Sequence, residues 1–124
     1  MNANEALVRR FLDLWAVRDA AGMVACFAPD GIYENLPANA PLVGHAAIRA
    51  WLDMVFGHID RIDVEVLNLA VDGEWVLNER RDDHVAGERH MVVPVMNATR
   101  VVGGRIVLFR EYYDMDTVRA LGMG

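Results

Sequence analysis

Apolar residues recur at Val8, Phe11, Leu12 and Trp15, the spacing of one buried face of a helix, and Asn2 stands three residues before Glu5 as a capping box for its start. Asp19 caps a second short helix that buries Ala20, Met23, Val24 and Phe27, and Pro29-Asp30-Gly31 stops it. Ile32 to Leu36 reads as a short strand ended by Pro37. A loose stretch, 37–41, leads into a third helix from about Gly44, with Ile48, Trp51, Leu52 and Val55 inward and Gly57 as the left-handed residue after its end.

Beyond Gly57 the period drops to two. Ile62, Val64 and Val66 alternate with polar partners, and Asp72-Gly73 is a hairpin turn. Glu74 to His84 forms the next strand, with a turn around Ala86-Gly87. Arg89 to Val101 follows as a long strand, in which Pro94 demands a bulge or an edge. Gly103-Gly104 turns the chain into a last strand, Arg105 to Asp114. Helices first and an antiparallel meander second make an α+β fold, with helices on one face of a curved sheet. Neither repeat nor linker divides residues 1–124, so one domain is expected.

Composition narrows the function classes. The chain has 124 residues, 54% hydrophobic and 24% charged, enough apolar side chains for a core and too many for a disordered chain. A net charge of −6 argues against a nucleic-acid partner, which needs a basic face. No apolar run is long enough to span a bilayer, and the first residues lack a basic segment followed by an apolar one. A cytoplasmic protein with no membrane partner is therefore expected. Cys26 is alone and sits among apolar neighbours, so it reads as an inert core thiol.

No phosphate loop, paired-cysteine site or His-Glu-x-x-His helix is present, so neither a cofactor nor a metal is expected. His45, His58, His84 and His90 lack the spacing of a metal cluster and read as polar or surface groups near turns. The chemistry concentrates elsewhere. Strand alternation puts Asn78, Arg80, Asp82 and His84 on one face and Glu79, Arg81 and Asp83 on the other, so an Arg and an Asp share the enclosed face whichever way the strand turns. A ladder of surface ion pairs is the plain alternative. Glu111 shares its parity with Val107, Phe109 and Tyr113, surroundings that raise a carboxyl pKa unless a cation pairs with it. Tyr33 and Asn35 share one face of the first strand, where a hydroxyl and an amide beside a carboxylate could hold one water.

Tyr33-Glu34-Asn35-Leu36-Pro37, Glu79-Arg80-Arg81-Asp82 and Phe109-Arg110-Glu111-Tyr112-Tyr113-Asp114 resemble, in order and separation, the Tyr-x-Asn-x-Pro, Glu-Arg-x-Asp and Trp-Arg-Asp-Tyr-Phe-Asp motifs of the limonene-1,2-epoxide hydrolase family, within the nuclear transport factor 2-like fold. Phe11-Leu12-Asp13 also fits. The resemblance implies a cone of helices on a curved, mixed, mainly antiparallel sheet enclosing a pocket. It further implies one-step opening of a small apolar epoxide by an activated water, without metal or covalent intermediate. By motif, Glu111 matches the base, Tyr33 and Asn35 the residues that help hold the water, Asp82 the acid and Arg80 the bridge between the carboxylates. Leu12, Trp51, Leu52, Val55, Val93, Val95, Phe109 and Tyr113 are candidates for the substrate pocket. The departure is Glu111, where the family carries Asp.

Two other functions suit the same residues. One is an isomerase or cyclase on this fold, with Glu111 or Asp82 abstracting a proton next to a carbonyl. The other is a non-catalytic binding module, with Arg80, Asp82 and Glu111 as a structural network. On the parity opposite Arg80, Trp75 and Leu77 leave apolar area on the outer sheet face, which predicts a homodimer.

Overall fold

The computed structural model describes residues 1–38 and 40–123. Helix α1 (Ala3–Asp13) starts at Asn2, whose Oδ1 accepts from the backbone N–H groups of Asn4 and Glu5. Glu5 does not complete the box; it pairs with Arg9 one turn on, at 2.8 Å. Helix α2 (Ala20–Ala25) is capped by Asp19 on the N–H of Gly22. Strand β1 (Phe27–Asn35) begins earlier than the sequence pattern suggests, so Phe27 belongs to it and not to α2. Pro29-Asp30-Gly31 lies inside this strand, where its pairing is irregular between Phe27 and Ile32. A Cβ on Gly31 would stand 2.9 Å from the carbonyl oxygen of Ile106, so this close approach of backbones requires glycine.

A two-residue strand, β2 (Leu42–Val43), precedes α3 (His45–His58). Here the expectation for Gly57 fails: α3 runs through it and ends at the extended Ile59. The reason is an external cap. Arg18 donates from its guanidinium to the carbonyl oxygens of Phe56, Ile59 and Asp60, satisfying the end of α3 without a left-handed residue.

The remaining strands are β3 (Arg61–Asp72), β4 (Trp75–Ala86), β5 (Arg89–Val102) and β6 (Arg105–Tyr112). Among the described residues they form a six-stranded sheet in the order β2-β1-β6-β5-β4-β3. Strand β1 runs parallel to β6 and every other pairing is antiparallel, so the sheet is mixed. Pro94 pairs with Arg81 on one side, while β6 ends opposite Met96, which leaves β5 a local edge on the other side. The last strand stops at Tyr112. Asp114 instead caps a further short helix, α4 (Met115–Arg119), by accepting from the N–H of Asp116.

The helices pack on the inner face of the sheet. Phe11 of α1 meets Phe109 of β6 and Phe27 of β1 at ring-centroid distances of 4.7 and 5.5 Å, and these rings belong to the buried core. Leu12 and Leu52 are buried there as well. No described helix is long and apolar enough to cross a membrane.

Candidate active site

Register brings four polar side chains into one row across the inner face. Asn35 of β1 pairs with Glu111 of β6, Glu111 with Asn97 of β5, and Asn97 with Asn78 of β4. On β4 the same face continues from Asn78 through Arg80 and Asp82 to His84, and Asn35, Asp82, His84 and Glu111 all line one cavity. The cavity holds about 140 Å³, room for roughly ten water-sized groups, and therefore for a small molecule.

Arg80 is 1% exposed and joins the two carboxyl groups. Its Nη2 donates to Glu111 Oε1 at 2.7 Å and to Asp82 Oδ2 at 2.9 Å, while Nη1 and Nε donate to Glu111 Oε2 and Asp82 Oδ1, both at 3.1 Å. Burial alone would lower the guanidinium pKa, yet Glu111 and Asp82 together hold it above its usual value. Glu111 has a further donor, Asn97 Nδ2, at 2.9 Å. The Asn97 amide is itself oriented, because its Oδ1 accepts from Thr99 Oγ1 and Asn78 Nδ2, and Asn78 Oδ1 in turn accepts from Arg80. Burial pushes the Glu111 pKa up, with Arg80 opposing the shift and Asp82 adding to it. One guanidinium thus faces two carboxyls.

Tyr33 and Asn35 are 1% and 6% exposed. Neither the Tyr33 hydroxyl nor the Asn35 side-chain amide bonds to another described group, and no buried side-chain oxygen or nitrogen among the described residues lacks a partner. Both groups are therefore reached from the cavity. Burial, with Glu111 adding, holds the Tyr33 hydroxyl well above its usual pKa and raises that of Tyr113 to about 12, so both are neutral donors.

The cavity differs in part from the sequence reading. Trp51, Val55, Val93, Val95 and Tyr113 line it, whereas Leu12, Leu52 and Phe109 do not. Those three are fully packed in the core behind the wall, since helical periodicity marks a buried face without separating core from pocket. His84 stands on the wall and is not a surface group at a turn. Burial lowers its pKa. Asn97 and Thr99 belong to the site as well, and two polar residues following Val93 and Val95 on the inward parity are their signal in the sequence. Met115, Val118 and Leu121 complete the wall from α4 and the residue turn after it. Their signal was Asp114 as a helix cap. Among the described residues no cluster of His, Cys, Asp and Glu has metal-binding geometry.

Known proteins share this arrangement of elements. Over 108 residues the chain is 28% identical to the epoxide hydrolase EphG of Mycobacterium tuberculosis, covering 87% of this chain and 71% of that protein. The solved structure of an M. tuberculosis epoxide hydrolase of the limonene-epoxide-hydrolase-like type superposes with a TM-score of 0.83 at 27% identity, covering 96% and 89% of the two chains. A Catenulispora acidiphila protein with a ketosteroid isomerase-like fold, solved with trimethylamine, superposes at 0.85 over 95% and 93% of the chains. At 21% identity that match speaks to the fold alone. The model of the SnoaL-like domain matches residues 8–109, and the chain belongs to the SnoaL-like domain family.

Proposed function

We propose that this protein is an epoxide hydrolase that opens a small, mostly apolar epoxide to a diol in one step. The observation that carries the reading is Arg80 bonded to two carboxyl groups in one cavity that also presents the Tyr33 hydroxyl and the Asn35 amide, neither bonded to another described residue. Tyr33, Asn35 and Glu111 hold a water, and Glu111, whose proton affinity burial raises, takes a proton from it as the water oxygen attacks an epoxide carbon. The bond between that same carbon and the epoxide oxygen, on the face away from the water, breaks, and Asp82 delivers its proton to the leaving oxygen. Atoms and charge balance: Glu111 ends protonated, Asp82 ionised, and a proton must pass between them before the next turnover. Arg80 stays charged throughout and keeps the two groups in register. Trp51, Val55, Val93 and Val95 supply the apolar wall for the substrate's carbon skeleton.

Incubation with limonene oxide, cyclohexene oxide and styrene oxide in ¹⁸O-labelled water tests this. The expected product is a diol carrying one labelled oxygen. An isomerised product from a ketone substrate, with no diol from any epoxide, would instead favour proton abstraction next to a carbonyl.

The outer sheet face belongs to the proposal too. Leu77, Val92, Met96 and Tyr112 are exposed on the side away from Arg80, with Met96 at 52%. Such a patch suits a second copy of the chain. Light scattering at micromolar concentration should give twice the chain mass, and Met96→Lys should reduce it to a monomer.

A further inference from the structure

His84 is the one polar side chain beyond Asp82 on the inner face of β4, and the hydrolytic scheme does not use it. It pairs across the sheet with Ile62 on β3 and Met91 on β5, and Met54, Val118 and Leu121 line the same cavity. These neighbours are apolar, while Asp82 stands two residues away on the same strand. The ring is oriented: Nδ1 lies 3.0 Å from the carbonyl oxygen of Asp82. A carbonyl can only accept, so Nδ1 carries the proton, and in the neutral imidazole Nε2 is left as an acceptor. Nε2 has no partner among the described residues. Because no buried side-chain nitrogen there is unsatisfied, Nε2 is accessible, on a residue that lines the cavity.

Position gives this acceptor a meaning. Residues two apart on a strand stand roughly 6–7 Å from each other on the same face, so His84 is one small ring's width from Asp82. We propose that His84 is a specificity-determining residue whose Nε2 accepts a hydrogen bond from a hydroxyl on the ligand, at the end remote from the group held by Asp82. The preferred ligand is then a compact apolar skeleton with one hydroxyl, not a pure hydrocarbon. Identifying the remote group as an epoxide rests on the hydrolase reading; the acceptor does not.

The test uses two matched pairs. Limonene-1,2-epoxide and the 1,2-epoxide of α-terpineol share a ring and differ by a hydroxyl at the far end; limonene and α-terpineol repeat the pair without a reacting group. The hydroxylated epoxide should have the higher kcat/KM. His84→Leu should erase that preference, about 3- to 10-fold for one neutral hydrogen bond, so that the ratio of the two kcat/KM values falls to about one. His84→Gln, which keeps an acceptor and a donor for the Asp82 carbonyl, should retain part of it. In ¹⁵N spectra of the unliganded protein His84 should be the Nδ1–H form, and α-terpineol, but not limonene, should shift Nε2. An unchanged preference in a folded His84→Leu variant, or an Nε2–H ring, overturns the proposal. If neither epoxide is opened while α-terpineol still shifts Nε2, the hydrolase reading fails and the role of His84 stands.

Discussion

Glu111→Gln should abolish diol formation, because an amide of the same shape cannot take a proton from water. Asp82→Asn should do the same from the other side of Arg80, since it has no acid proton for the leaving oxygen. General acid–base catalysis is worth ~10²–10⁴-fold, so either variant retaining activity within about tenfold would remove that residue from its role. Glu111→Asp is the more searching change. Glu111 is bonded to both Arg80 nitrogens and to Asn97, so a carboxylate drawn back by one methylene loses contact with its donors or with the water. Misplacement by about an ångström can cost ~10²-fold, and a loss near that size is expected. A rise in activity would mean that the site serves other chemistry on the same frame. Glu111→Gln also has a stability readout. Burial raises the Glu111 pKa, so the folded chain binds this proton more tightly than the unfolded chain. That contribution is complete below the ordinary glutamate value and lost as pH rises through the folded-state value. The melting temperature of the parent should therefore fall with pH across that window, and Glu111→Gln should flatten the fall.

Arg80→Leu should be the most destabilising single change at the site. It leaves Glu111, 4% exposed, and Asp82 facing each other without their cation, and Asn78 without its donor. Removing one partner of a buried ion pair costs about 3–5 kcal/mol, a large share of the 5–15 kcal/mol typical of a domain. Urea denaturation measures it directly. The Arg80→Leu/Glu111→Gln double variant should recover part of the loss, because the deepest unpaired charge is gone. A single variant as stable as the parent would show that the carboxyls take up protons at no cost, and that Arg80 holds nothing together.

Much of the frame was legible because local rules decided it. Asn2 and Asp19 cap where their side chains suggest, and the glycine turns of the second half fall within a residue of their expected positions. The misses share a cause, which is a partner distant in sequence. Gly57 is helical because Arg18, some forty residues earlier, caps α3. Pro29-Asp30-Gly31 lies inside a strand because Phe27 before it and Ile32 after it both pair with β6. Leu12, Leu52 and Phe109 are core and not wall because residues from α1, α3 and β6 pack together in one buried cluster.

The same division runs through the site. Alternation along one strand is a local property, and the sequence alone determined that Arg80, Asp82 and His84 share a face, as do Tyr33 and Asn35. It also placed Glu111 on the face of the buried Phe109, but did not place the Arg80 and Asn97 groups that surround its carboxyl. Which strands lie side by side is a global property, set by the packing of the whole sheet. Only the tertiary structure decided that β1 runs parallel to β6 and that Asn35, Glu111, Asn97 and Asn78 fall in one row. A slip of one residue at any of these pairings would turn a member of the row to the outer face. Arg80 meets both carboxyls, and Asn97 meets Glu111, because three strands hold one register, and no period within any single strand encodes that.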